Sequence, residues 1–178
     1  MRTEWAARSV CSIRIHQPTN KPIGCTHIGV VAVGSLQPRQ FSIASALEAR
    51  PGRASIELLV AMVEYTSPIG QPRRGVCTAW LSGLAPGATV PIWVGGGSLK
   101  LPADPQMGIL CIGPGTGVAP LRSLLQFRRA QAVEAGTAVG PASLYFGCRN
   151  KAADFYFEDE WQGMVRTLAR RGTLGSLR

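Results

Sequence analysis

The stretch from Met107 to Leu125, MGILCIGPGTGVAPLRSLL, constrains the fold more than any other part of the chain. Ile109, Leu110, Cys111 and Ile112 make an apolar run too short for a helix and bounded by glycines, which predicts a buried strand. Gly113, Gly115 and Gly117 follow at alternate positions, and behind Pro120 comes an apolar stripe at helical spacing, Leu121, Leu124 and Leu125. Proline suits the first turn of a helix, where its missing N–H would have no partner. The expected order is strand, glycine turn, helix.

Such a turn can hold an anion. Residues without Cβ let a ligand come close to the backbone, and a helix start adds unpaired N–H groups and a partial positive charge. Thr116 adds a hydroxyl donor inside the turn. The pattern is Gly-x-Gly-x-x-Pro, which is neither the Gly-x-Gly-x-x-Gly of the dinucleotide fingerprint nor a P-loop. Taken alone, these residues leave two readings open, a phosphate site and a glycine-rich connection with no ligand.

With 178 residues, the chain is long enough for one domain or two small ones. Its 46% hydrophobic and 16% charged residues mark it as globular. The longest apolar stretch, near Ile28 to Val33, is far too short to span a bilayer. Lysine plus arginine is 19 against 10 acidic residues, a net charge of +9 that favours phosphates, nucleic acid or an acidic partner. The arginines are scattered and no basic helix or aromatic-studded motif occurs, so nucleic acid is not expected; acidic neighbours missing from the chain would also account for the surplus. Five cysteines, Cys11, Cys25, Cys77, Cys111 and Cys148, form neither an even set nor a CxxC, which points away from a disulfide framework or a zinc site. A reducing compartment, the cytosol, fits best.

Residues 1–36 stay unassigned. Arg2, Arg8 and Arg14 with the single acid Glu4 have the balance of a mitochondrial presequence, but Pro18, Asn20, Pro22 and Gly24 break any long helix. His16 and His27 stand alone, and IGVVAVG reads as one strand. Arg39 to Ser45 alternates as a strand with Phe41 and Ile43 on one face. Ile56 to Tyr65 is a long β-rich run, Pro68 to Gly75 a loop carrying Arg73 and Arg74, and Gly75 to Leu81 a glycine turn opening a short helix. Thr89 to Val94 is another strand, followed by the mobile-looking Gly95, Gly96 and Gly97. Strands with turn signals between them predict a small antiparallel barrel up to about residue 100. Beyond Pro105, the strand from Gly108, the helix from Pro120 to near Gly136 and the strand Leu144 to Phe146 predict one βαβ unit with parallel strands. Gly113 and Gly147 then end adjacent strands, on the edge where open parallel sheets bind ligands. A second helix, from about Phe155 to Arg170, places Trp161, Met164, Val165 and Leu168 on one face and ends at Gly172.

Three separated motifs carry a family resemblance: RQFS at Arg39 to Ser42, GVCT at Gly75 to Thr78, and GPGTGVAPLR at Gly113 to Arg122. A fourth, YFGCR with DFYFEDEW between Tyr145 and Trp161, supports them. In this order they resemble the ferredoxin-reductase-type FAD and NADPH module of the diflavin reductases. FSIAS together with DFYFEDEW is most similar to the NADPH-dependent diflavin oxidoreductases of cytosolic iron–sulfur protein assembly, with a cytochrome P450 reductase-like electron donor the nearest competitor. The resemblance covers about Pro38 to Leu174. It implies an α+β part followed by an α/β part: a partial antiparallel FAD-binding β-barrel over 37–104, then the start of a Rossmann-like NADP-binding βαβ domain over 105–178.

The same resemblance implies roles. Within RQFS, Arg39 pairs with the FAD pyrophosphate, a task suited to a guanidinium fork. Gln40 lies in the same cofactor strand, Phe41 stands where an aromatic packs on the isoalloxazine, and Ser42, the one residue expected in the catalytic step, lies near flavin N5. The amides of Gly75, Val76 and Cys77, with Thr78, hold the pyrophosphate from the other side, and Tyr65 matches an aromatic at the adenosine end. Gly113, Gly115, Thr116 and Gly117 receive the NADPH pyrophosphate with help from Arg149. No metal is implied. Trp80, Trp93 and Trp161 read as core residues, and Cys77 and Cys148 as packing positions.

Departures from the family pattern accompany these roles. Phe41 stands where many relatives have tyrosine, and Gly95 where related chains often carry a basic residue. The FMN-binding flavodoxin domain, the early barrel strands, the segment that reads the 2′-phosphate and the residues around the nicotinamide are not recognisable. The expectation is a truncated product or partial gene model of a reductase that takes hydride from NADPH onto FAD and passes electrons through FMN to an anamorsin-like iron–sulfur protein acceptor in the cytoplasm, with neither nucleic acid nor membrane as partner. The competing expectation is a catalytically inactive fragment, at most an FAD-binding or interaction module.

Overall fold

In a computed structural model, which describes residues 10–14, 26–30, 38–49, 55–169 and 174–177, the first half of the chain is antiparallel and the second half is parallel. Strand β1 (Val10–Arg14) pairs antiparallel with β4 (Ser55–Leu59), Val10 opposite Leu59. Strand β2 (Thr26–Val30) lies between β3 (Arg39–Ser42) and β7 (Ile92–Gly96), antiparallel to both. A bridge between Ile43 and Leu58 ties β3 to β4. Among the described residues these strands stay in separate small sheets and do not close into the expected barrel.

Several local expectations change. The run Ile56 to Tyr65 divides into β4 and a short β5 (Glu64–Thr66). Pro68 to Gly75 is not all loop, because β6 (Pro72–Arg74) returns antiparallel against β5. The reversal closes on itself: the Ser67 and Gln71 backbones bond at 2.8 Å, the Gln71 amide donates to Ser67 Oγ, and Arg74 pairs with Glu64 at 3.0 Å. Helix α1 (Val76–Ser82) follows Gly75 as expected. Strand β7 takes in Gly95 and Gly96, which looked like loop, because both pair with β2. The alternation of β7 sends Ile92 and Val94 toward the core, so Trp93 points the other way and stands 43% exposed rather than in the core.

The parallel half opens with β8 (Ile109–Pro114), a 3₁₀ turn over Gly115–Gly117 and α2 (Val118–Val133). The helix starts two residues earlier than Pro120, which still lies in the first turn where no N–H is needed. Strand β9 (Ala142–Gly147) pairs parallel with β8 from Ile109–Ala142 to Pro114–Gly147. The expected second helix is two, α3 (Lys151–Asp154) and α4 (Glu158–Ala169). Of its face, Trp161 and Met164 are buried, while the side chains of Val165 and Leu168, and Gly172, lie outside the described residues. The sheet gains a third strand not foreseen in the sequence, β10 (Leu174–Leu177), parallel to β9.

Two cores organise these elements. Ile43, Ile56, Leu58, Val60 and Leu81 form the first, with Phe41, Cys77 and Trp80 packed against it. The second joins Ala44 and Leu59 of the antiparallel half to Cys111, Val118, Leu121, Leu125, Leu144, Trp161 and Met164. Strand β4 is therefore buried on both sides. Ile56 and Leu58 face one core, while alternation turns Leu59 and Glu57 toward α2. The strand expected to be buried is buried on one face only: on the far side of the parallel sheet Leu110 and Ile112 of β8 and Tyr145 of β9 are exposed. Among the described residues no helix is long and apolar enough to cross a membrane, and no group of three or more His, Cys, Asp or Glu residues could hold a metal ion. Cys77, Cys111 and Cys148 are free thiols.

Candidate functional site

The glycine turn sits where β8 ends. Gly113 leaves no room for a side chain: a Cβ there would lie 2.7 Å from Leu121 Cδ1 and 2.8 Å from the Gly117 carbonyl oxygen. Its absence lets the helix start fold back against the strand end. Gly115 adopts φ +53°, the left-handed region, with nothing within 4 Å of a would-be Cβ, so it turns the chain and leaves open space beside the backbone. Helix α2 has no side-chain cap and no acidic residue in its first turn. The carbonyls of Gly115 and Thr116 take the Val118 amide and Pro120 has no N–H, so this end offers an anion its dipole and the remaining first-turn amides. Thr116 is exposed within the turn.

Parallel pairing brings the second strand end to the same edge, with Pro114 opposite Gly147. Arg149 follows two residues later with its side chain 95% exposed. Asp154 shapes this loop. Its carboxylate accepts the amides of Asn150 at 2.7 Å and Arg149 at 3.1 Å, and Arg149 Nε at 3.3 Å. Those hydrogen bonds hold the Asp154 carboxyl below the usual aspartate range. In the sequence Asp154 entered only as the first residue of DFYFEDEW, with no role, and Asn150 did not stand out. The available signal was an Asn followed four residues later by an Asp at a helix start, a capping pattern.

The RQFS and GVCT motifs meet across the first core. Arg39 and Gln40 are exposed, Ser42 is half-buried, and Phe41 packs against the same cluster as Cys77. Burial pushes the Cys77 thiol up and the nearby Arg39 charge draws it down, so the two motifs share one electrostatic environment. Burial likewise raises the Cys111 thiol.

Two details of GVCT differ from expectation. The Gly75 amide already donates to the Val63 carbonyl at 2.7 Å. Thr78 is buried, with its hydroxyl donating to the Gly75 carbonyl and accepting the Val63 amide. Both groups are spent on holding α1 against the end of the preceding segment, because Gly75 approaches Val63 too closely for any side chain to fit. What α1 offers outward is the amides of its own first turn, beginning at the exposed Val76. Tyr65 lies on the β5–β6 hairpin, 59% exposed and opposite Arg73.

The residues that sequence reasoning passed over are the buried polar groups of α2. Arg122, Gln126 and Arg128 are almost fully buried although they interrupt the apolar stripe. Arg128 bonds the carbonyls of Pro105, Met107 and Gly140, pinning the entry to β8 against the entry to β9. Arg122 and Gln126 reach into the antiparallel half.

Similarity to known proteins covers most of the chain. The Oxidoreductase NAD-binding domain family model matches residues 111–174, the segment from β8 to β10. An NADPH-dependent diflavin oxidoreductase 1 from Xenopus laevis is 41% identical over 160 residues, covering 88% of this chain and 25% of the relative. The protein of the same name from Aspergillus fumigatus is 45% identical over 171 residues, 90% of this chain and 26% of the relative. That from Danio rerio is 46% identical over 134 residues, 74% of this chain and 21% of the relative. The chain thus spans about a quarter of the length of these relatives. At these identities over most of its length, the chain belongs to the NADPH-dependent diflavin oxidoreductase family.

Proposed function

We propose that this chain is the part of an NADPH-dependent flavoprotein reductase that holds FAD and the NADPH pyrophosphate, with residues 37–104 belonging to an FAD-binding barrel and 105–178 to the start of a Rossmann-like NADP-binding domain. In this reading the whole protein moves hydride from NADPH to FAD and electrons onward through FMN to an anamorsin-like protein acceptor in cytosolic iron–sulfur assembly. The cofactors supply the redox chemistry when bound. This chain's residues bind and orient them. The exposed Arg39 fork takes the FAD pyrophosphate, with the first-turn amides of α1 opposite. Gln40 and Phe41 flank the flavin, Ser42 donates a hydrogen bond near N5, and Tyr65 covers the adenosine end. The turn from Gly113 to Gly117, Thr116 and Arg149 neutralise the NADPH pyrophosphate.

The observation that carries the reading is the shared edge. Parallel pairing of β8 with β9 sets the glycine turn, an uncapped helix start and an exposed arginine side by side. That is the arrangement a pyrophosphate needs.

The test uses flavin retention. The chain is reconstituted with FAD and passed through gel filtration, and yellow colour in the protein peak is expected. Arg39→Ala removes a charge-assisted contact worth about 1.5–3 kcal/mol, so the variant should elute colourless. Equal retention by variant and parent would sink the assignment of RQFS.

A further inference from the structure

Arg122 occupies the last position of the glycine motif, yet its side chain points away from the turn into the protein, with 4% of its surface exposed. Every nitrogen of its guanidinium is engaged. Nε and Nη2 both meet Glu160 Oε2 at 2.7 Å. Nη1 meets Glu57 Oε2 at 2.7 Å and the Ala44 carbonyl at 2.5 Å. The Phe157 ring covers the group, its centroid 4.2 Å from Cζ. Two neighbours on the same helix extend the cluster. Gln126 accepts the Ala46 amide at 2.9 Å and donates to Glu160 at 2.6 Å, and Ser123 donates to the Ser45 carbonyl at 3.0 Å.

One side of this cluster is the segment that leaves the RQFS strand, Ala44 to Ala46, with Glu57 of β4. The other is the helix that begins at the nucleotide turn. A second observation points to the same place. Phe157 has φ +63°, the one non-glycine residue with positive φ among the described residues. A bulky side chain in that region is strained and persists only where its surroundings over-determine it. Here the strained residue supplies the ring over Arg122 and its carbonyl starts α4, accepting the amides of Glu160 and Trp161.

We propose that Arg122 is a positioning residue: with Glu57, Glu160 and Gln126 it latches the nucleotide turn to the flavin-side segment, so that the two halves open as one unit and occupancy of one site is felt at the other. The fork matters as much as the charge, because a lysine in this position cannot serve two carboxylates and a carbonyl in one plane. The ligand part of the inference rests on the function proposed above, whereas the coupling of the two halves does not.

The test has two arms on the full chain, with Glu57→Gln and Arg122→Lys as variants. Glu57→Gln keeps the volume and one acceptor oxygen, so it remains informative if Arg122→Lys fails to fold. In the first arm, without ligand, amide hydrogen exchange is followed in β4, at Ala46 and along α2. The parent should show the same opening equilibrium in all three, and Glu57→Gln should separate them by about tenfold or more. Uniform destabilisation, which a purely structural role would produce, leaves them matched. Segments that already differ in the parent, or stay matched in the variant, overturn the proposal. In the second arm, FAD affinity is measured with and without NADP⁺. The parent should bind FAD about fivefold tighter when NADP⁺ is present, and both variants should lose that ratio while binding each ligand nearly as well alone. A ratio that survives in the variants overturns the latch. If neither ligand binds the parent while the exchange arm behaves as expected, the proposed function fails and the coupling of the halves stands.

Discussion

Replacing Gly113 by alanine should destabilise the fold, whereas the same change at Gly117 should not. A Cβ on Gly113 would lie 2.7 Å from Leu121 Cδ1, 2.8 Å from the Gly117 carbonyl oxygen and 2.9 Å from its carbon. Carbon pairs rest at about 3.5–4.0 Å, so the contact with Leu121 must open by about 0.8 Å or more. The leucine end can swing aside, but the Gly117 backbone moves only if the start of α2 moves with it. Forcing an extra carbon into such a place costs about 1–3 kcal/mol. Because Gly113 has no positive φ, stiffening the unfolded chain returns about 0.4–1 kcal/mol. Taking the middle of each range, the net loss is about 1.3 kcal/mol, which at about 2–4 °C per kcal/mol for a chain of this size lowers Tm by roughly 3–5 °C. At Gly117, by contrast, the nearest atom to a new Cβ is Pro114 Cδ at 3.7 Å and the backbone is already helical. Gly117→Ala should therefore melt at or slightly above the parent temperature, while narrowing the approach of a pyrophosphate and weakening NADP⁺ binding. Thermal melts followed by circular dichroism, paired with nucleotide titration, read both effects. A Gly113→Ala chain that melts within about 1 °C of the parent would refute the claim that close packing, not ligand approach, demands glycine there.

Further outcomes follow from the same geometry. Gly115→Val has space around its Cβ but inherits φ +53°, a strain of about 1–2 kcal/mol; it should lower Tm and weaken NADP⁺ binding, and unchanged affinity would make the turn purely structural. Arg39 draws the Cys77 thiol down against the effect of burial, so Arg39→Ala should slow alkylation of Cys77 at mildly alkaline pH; an unchanged rate would separate the two motifs. Asp154 is held below its ordinary value by the amides of Asn150 and Arg149. A depressed folded value adds stability above the unfolded value of about 3.9, and that stability is lost as pH falls through the folded value. The gap in urea midpoint between parent and Asp154→Asn should accordingly be full near neutrality and close in strong acid, and a gap independent of pH would count against the assignment.

The local chemistry of this chain was legible in its residues. A short apolar run, alternating glycines and an apolar stripe define β8, the turn and α2 because strand length, backbone freedom and helical period are local properties. The same holds for the helix after Gly75 and for the parallel partner at Leu144 to Phe146. The hairpin at Pro72–Arg74 and the strand at Leu174–Leu177 were not legible, since their pairing partners and not their own propensities make them strands. Trp93 was misplaced because its composition suggests a core, while its register in β7 sets which way it faces. The inward commitment of Gly75 and Thr78 depends on Val63, more than ten residues away. Most of all, Arg122 entered the sequence reading only as the last residue of GPGTGVAPLR, with no role, and Gln126 did not enter it. Only the tertiary structure supplies Glu57, Glu160 and the Ala44–Ala46 backbone from distant parts of the chain. A buried charge is tolerable only where such partners converge, and that convergence is a property of the folded chain, not of any window of its sequence.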